Sequence, residues 1–289
     1  MREIENGLTN RGMMRTVARL QAQGGLNQKR LSWLDDSLQT AETGDILYFV
    51  GCVPFADVLL ADRIDNGILS VPRAAIRLLN LVGTRPVVLP NEVCCGLDAY
   101  LGGDMDTARS LARLNVEMFR AVGAKRILTS CAGGAWMLRH YSALGLDHGC
   151  EVLHVAEFLA QRLDGVRLPA GTALWPSSVS VPDGATERFD LSRLSKVAGP
   201  GVVELAKGDA AWAGCEADGW LARDADARER IDHLIEQASA AGCERILTLS
   251  PRALMSLRFV LRPDSWVKSG IEVEDLGVFI AGLIEASSK

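Results

Sequence analysis

The chain has 289 residues, 48% of them apolar and 23% charged, so it can bury a core without disulfide staples, as one large domain or two smaller ones. A net charge of −5, with no dense Lys/Arg stripe, argues against a nucleic-acid binder. No apolar run reaches the roughly 18 residues of a membrane helix, and the first residues lack the apolar core of a signal peptide; a cytoplasmic protein without membrane insertion is expected.

Residues 1–44 read as a polar N-terminal arm with helical patches. Met13, Met14, Val17, Ala18 and Leu20 approximate one helical face, ended at Gly24-Gly25, and a second short helix is expected over 26–38. The run from Ile46 to Val50 is continuously apolar and of strand length, which fits a strand buried on both faces. Beyond it the pattern predicts a helix over 71–82, a short strand over 86–90 and a long amphipathic helix over 104–122. A strand over 126–130, a helix over 134–141 and a strand over 151–155 follow, the last leading into a helix through Leu163. This alternation predicts α/β layering with short parallel strands.

The second half repeats the first. RILTSCAGGAWMLR (126–139) aligns without gaps to RILTLSPRALMSLR (245–258), and CEVLHVAEFLAQRL (150–163) to IEVEDLGVFIAGLI (271–284). CCGLDAYL (94–101) aligns to GCEADGWL (214–221), and DILYFVGC (45–52) more weakly to GTALWPSS (171–178). Four matches in one order indicate a duplicated fold, with an arm over 1–44 and two related α/β domains over 45–168 and 169–289.

Clustered cysteines in a reducing compartment point to metal or redox chemistry. The repeat sets Cys52 against Ser178, Cys94 against Gly214, Cys95 against Cys215 and Cys131 against Ser250. Thiols that only filled core volume would be matched by similar apolar residues in both halves. The asymmetry reads instead as one working site beside a copy that has lost it. Cys150 and Cys243 read as small buried hydrophobes. Each thiol of the first half follows a predicted strand, where the carboxyl ends of parallel strands gather ligands. Adjacent cysteines suit a multi-iron cluster, in which neighbouring thiolates reach different irons. Four-cysteine zinc is the competing reading, though its usual pair of C-x-x-C hooks is missing.

The pattern Cys52…Cys94-Cys95-Gly96…Cys131 resembles the CCG, or cysteine-rich, domain, over about residues 45–285 and in both copies. That domain occurs in the B-type subunits of heterodisulfide reductase and in the iron–sulfur subunits of glycolate and lactate oxidases. The resemblance implies two tandem CCG-type domains and one iron–sulfur cluster held by Cys52, Cys94, Cys95 and Cys131, of 4Fe–4S type (cubane or noncubane) or 2Fe–2S. The family's fifth cysteine position is Gly134 here, so the resemblance implies either a closed four-cysteine centre or a noncubane one with an iron open to an outside sulfur ligand. It further implies an oxidoreductase subunit in thiol/disulfide metabolism, similar to the B-type subunits of sulfur-oxidising heterodisulfide-reductase-like complexes. Its partners would be a ferredoxin-like iron–sulfur subunit, a flavin-containing subunit and a thiol or disulfide substrate carried on a protein or small molecule. The alternative is an electron-transfer subunit of a glycolate/lactate oxidase-type flavin dehydrogenase.

The remaining signals read as structure. His140 and His148 flank the helix after Cys131 as lone histidines, and Asp98 and Arg139 recur as Asp218 and Arg258 in the copy without thiols. Neither Gly102-Gly103 nor Gly133-Gly134 carries a nucleotide-binding fingerprint.

Overall fold

The computed structural model describes residues 13–24, 29–60, 67–176, 178–180, 186–206, 225–261 and 269–287. Two small parallel sheets carry the architecture. In the first, β1 (Ile46–Phe49), β2 (Arg126–Thr129) and β3 (Glu151–His154) pair in that order, with Ile46 opposite Arg126 and Arg126 opposite Glu151. Val87 extends its free edge: the Val87 N–H donates to Ile46 O and the Tyr48 N–H to Val87 O, both at 2.8 Å. The strand expected over 86–90 is thus reduced to Val87, in isolated bridges to Leu47 and Ala41, because Pro86 and Pro90 bring no N–H to a ladder.

The second sheet has β4 (Thr172–Trp175) between β7 (Val203–Glu204) and β8 (Arg245–Thr248), and β9 (Glu272–Asp275) beyond β8. Its registers, Thr172 opposite Arg245 and Arg245 opposite Glu272, pair the residues that the sequence repeat aligns with Ile46, Arg126 and Glu151. A two-stranded antiparallel ribbon, β5 (Ser178–Ser180) with β6 (Thr186–Arg188), follows β4.

Helices fill the layers between. Before and beside the first sheet lie α1 (Met13–Ala22), α2 (Val53–Leu60), α3 (Ser70–Leu81), α4 (Leu97–Leu101), α5 (Met105–Ala121), α6 (Ala132–Arg139) and α7 (Val155–Ala160). The second sheet brings α8 (Ala225–Ala240), α9 (Pro251–Val260) and α10 (Leu276–Ser287). Strand alternation then divides the core. Leu47, Phe49, Ile127 and Val152 point to one side and meet Val116 and Phe119 of α5 and Trp136 of α6. Tyr48 and Leu128 point to the other, into a layer shared with Ile76 and Leu79 of α3, Phe158 of α7, Ile280 of α10, and Leu174 and Leu247 of the second sheet. The far face of that sheet, with Ala173 and Ile246, packs on Leu234 of α8 and Leu257 of α9. The order of layers is therefore α5/α6, first sheet, shared helices, second sheet, α8/α9.

Segment 29–38, expected as a helix, runs in successive turns instead. Asp35 takes the local hydrogen bonds, accepting from the Ser37 N–H at 3.0 Å, the Asx geometry that competes with a helix. Trp33 and Leu38 are still buried, in the shared layer. The helix α2 is additional to the elements expected from the sequence. Pro54 sits in its first turn, where the missing N–H costs nothing.

Candidate functional site

Cys52, Cys94, Cys95 and Cys131 all lie at the carboxyl edge of the first sheet. Cys52 follows β1 after Gly51, whose φ of +67° an L-residue would resist. The turn is held by a buried ion pair. Glu92 accepts the Gly51 N–H at 2.7 Å, Arg30 donates to the Gly51 carbonyl, and Arg30 and Glu92 meet at 3.1 Å. Burial pushes the Glu92 carboxyl up to about 7, against the pull of Arg30.

Cys94 and Cys95 occupy the loop between Val87 and α4, pinned from three elements. The Cys94 N–H donates to Gln21 Oε1 of α1 at 2.5 Å. Asn115 of α5 donates to the Cys94 carbonyl at 3.1 Å and to the Tyr141 hydroxyl, which donates on to the Cys95 carbonyl at 3.0 Å. Gly96, at φ +90°, turns the chain so that its N–H donates to Cys94 Sγ at 3.4 Å. Cys131 is the N-cap of α6: its Sγ accepts the Gly134 N–H at 3.2 Å and its own N–H donates to Thr129 Oγ1.

The thiols act on one another. Burial pushes Cys52 up, with the charges of Cys94 and Cys131 adding to the rise. Cys95 donates to Cys94, which holds Cys94 below the usual thiol range and lifts Cys95 well above it. Among Cys52, Cys94 and Cys95 the first proton is therefore lost at Cys94. Among the described residues, no three His, Cys, Asp or Glu side chains converge tightly enough for one ion. A multi-iron cluster does not need that convergence, since each thiolate meets its own iron. Four thiols, with backbone N–H groups already directed at two of their sulfurs, fit that group better than a single zinc.

A Cβ built on Gly134 would stand 3.6 Å from Cys131 Sγ and 3.3 Å from its Cβ, so a fifth thiol there would lie beside Cys131, which would have to yield by a few tenths of an ångström. None is present.

The second half closes the far side. Ser250, the residue aligned with Cys131, caps α9 as Cys131 caps α6, and its Oγ lies 3.8 Å from Cys131 Sγ. The Ala132 N–H donates to Leu249 O at 3.2 Å. Arg252 reaches across to Asp98 of α4 at 2.9 Å, with both side chains about 95% buried. Asp98, which reads as structural from its recurrence, lies in the first turn of α4 and serves as the partner of this arginine. Ser178 is described only in its backbone, and Gly214, Cys215 and Asp218 lie outside the described residues.

Other sequence readings find simple structural roles. Cys243 is buried in the core beside α8, and Cys150 donates to Ala124 O at 3.1 Å. His140 stacks on Trp136 with ring centres 4.0 Å apart. Arg139 donates from Nε to Val152 O, and Arg258 repeats that bond to Val273 O. Sequence reasoning missed Gln21, Arg30, Glu92, Ser250 and Arg252. Arg252 did leave a signal: a charge inside an apolar helix pattern, set by the repeat against Gly133.

Residues 46–139, which contain all four thiols, match the cysteine-rich domain family CCG. This segment is a CCG domain. The D-type subunit of the dihydromethanophenazine:CoB–CoM heterodisulfide reductase of Methanosarcina barkeri is 32% identical over 145 residues, 48% of this chain and 33% of that protein. The B-type subunit of the fumarate reductase (CoM/CoB) of Methanothermobacter marburgensis is 30% identical over 122 residues, 42% of this chain and 22% of its own length. A probable glycolate oxidase iron–sulfur subunit of Bacillus subtilis is 28% identical over 102 residues, 35% of this chain and 21% of its own length. The matches thus span about a third or less of each relative, and the CCG domain is set within redox-enzyme subunits of different activities. Among the described residues no helix is long and apolar enough to cross a membrane.

Proposed function

We propose that Cys52, Cys94, Cys95 and Cys131 hold one iron–sulfur cluster, of 4Fe–4S type, in the redox subunit of a heterodisulfide-reductase-like complex acting on thiols and disulfides. The observation that carries this reading is the placing of four thiols at one edge of the first sheet, after β1, after the Val87 bridge and after β2, with amide donors directed at two of the sulfurs. Such a centre supplies one-electron transfer and, where an iron lacks a protein thiolate, a place for an outside sulfur ligand. This chain's part is to present thiolates, to fix their loops through Arg30, Glu92 and Asn115, and to leave position 134 without a side chain. The proposed partners are a ferredoxin-like iron–sulfur subunit and a flavin-containing subunit, and the substrate is a small or carrier-bound thiol. The second half, with matching strand order, is proposed as a related domain that binds no cluster of its own. The glycolate oxidase relative supports a second reading, a subunit that only conducts electrons to or from a flavin dehydrogenase.

Iron and sulfide analysis of anaerobically prepared protein tests the centre, and its spectrum with added low-molecular-weight thiol separates the two readings. Stoichiometric iron with a thiol-induced shift is expected. Iron without a shift favours the conducting subunit, and absence of iron sinks both. Serine at any of the four cysteines should deplete iron, whereas Cys215→Ser should leave it unchanged.

A further inference from the structure

The half of the chain that lacks a full thiol set contributes a charge to the half that has one. Arg252 lies in the first turn of α9, two residues beyond Ser250, whose hydroxyl stands against Cys131 Sγ. In the first half the equivalent position is Gly133, which brings only backbone to the edge of the site. Arg252 crosses the seam between halves, and its guanidinium meets the Asp98 carboxylate one turn after the Cys94-Cys95-Gly96 loop. The ion pair therefore stands between the Cys94-Cys95 loop and the turn at Cys131.

A guanidinium 5% exposed is screened little by water, so its charge acts strongly on the groups around it. Four thiolates around a cluster are such groups, and each electron added to the centre adds one more negative unit.

We propose that Arg252 is the charge-setting residue of the cysteine site, placed by the second half and oriented by Asp98, and that it favours the reduced state of the centre. The inference rests on the iron–sulfur reading above. The step involved is the entry of one electron, with no bond made or broken, so the site becomes more negative by one unit. A fixed cation nearby stabilises that state and a fixed anion opposes it. Arg252 and Asp98 must therefore act with opposite signs, a pattern that loosened packing would not produce.

The test is a mediated dithionite titration of the full-length protein under anaerobic conditions, followed by electron paramagnetic resonance, with iron content measured on every sample. Arg252→Gln should lower the reduced-to-oxidised ratio at a given potential by about tenfold or more, about 59 mV for a one-electron couple. Asp98→Asn, which keeps the arginine, should raise that ratio. Arg252→Lys should stay closer to the wild type than Arg252→Gln. Equal direction in Arg252→Gln and Asp98→Asn, or no shift in either, overturns the inference. Should Arg252→Gln fail to retain iron, Asp98→Asn decides alone: a raised ratio supports the role and an unchanged or lowered one rejects it. Absence of iron from the wild type would instead overturn the underlying iron–sulfur reading, so the two failures are told apart.

Discussion

His154 and Asp275 hold the same place in the two halves and respond to pH in opposite senses. Each ends the last strand of its sheet and caps the helix that follows. His154 Nδ1 accepts the Ala156 N–H at 3.1 Å, and Asp275 Oδ1 accepts the Gly277 N–H at 2.9 Å. Nε2 of His154 donates to Leu249 O at 3.0 Å, so the ring is engaged as the neutral tautomer and a second proton would have to displace a cap. Burial holds His154 down at about 4 from an ordinary 6.5 and pushes Asp275 up to about 7 from 3.8. A depressed histidine gives stability that is complete above 6.5 and is lost as pH falls toward 4, about 3 kcal/mol in all. A raised carboxyl gives stability that is complete below 3.8 and is lost as pH rises through 7, about 4 kcal/mol. In the wild type the two slopes oppose each other over most of their range. Asparagine at either position keeps an oxygen for the cap and removes the titration. Between about pH 8 and about pH 5, the stability difference between His154→Asn and wild type should move in the variant's favour by about 2 kcal/mol. For Asp275→Asn it should move in the variant's favour by about 3 kcal/mol in the reverse direction, toward alkaline pH. Urea unfolding followed by tryptophan fluorescence at several pH values reads both differences, with contributions shared by variant and wild type cancelling. Flat difference profiles, or profiles of the same sign, would refute the assignment of burial as the cause.

Further outcomes follow from the site. Gly134→Cys should supply a fifth thiol at the cost of moving Cys131 by a few tenths of an ångström, and should abolish any spectral response to added thiol; a retained response would show that position 134 does not face the open iron. Arg30→Met leaves Glu92 buried beside Gly51 without its cation and should cost about 3–5 kcal/mol, read as a lowered urea midpoint. Glu92→Gln, which can still accept the Gly51 N–H, should cost less. Gly96→Ala forces an L-residue into the left-handed region at φ +90° and should cost about 1–2 kcal/mol, with a weaker hold on Cys94 seen as faster loss of iron to a chelator.

Much of the sheet framework was legible because buried parallel strands leave an unmistakable apolar run. Ile46–Phe49 and Arg126–Thr129 fall inside the segments expected to be strands, and α3 and α5 match their periodicity to within a residue or so at each end. The repeat gave the register of the second sheet, even at Thr172 to Trp175, where identity with the first is slight. The four cysteines stood out as candidates because thiols carry their chemistry wherever they stand. What escaped was whatever depends on meeting a distant partner. Gln21 and Arg30 belong to a segment that reads as a polar arm, and only the fold shows them buried against Cys94 and Gly51. The turns over 29–38 were misread as a helix because Leu31, Trp33, Leu34 and Leu38 have helical spacing, while the competing bonds of Asp35 are local and leave no periodic trace.

The bond between Arg252 and Asp98 joins residues 154 apart in sequence, and it imposes an order of events on biogenesis. Contacts that close long loops form late, and a nascent chain emerges from its N-terminus. The four cysteines are therefore made, and their sheet can form, before the stretch bearing Ser250 and Arg252 is available. Until that stretch docks, the wall that Ser250 and Arg252 provide beside Cys131 and Asp98 is missing, so this edge of the first sheet is completed only by the last third of the chain.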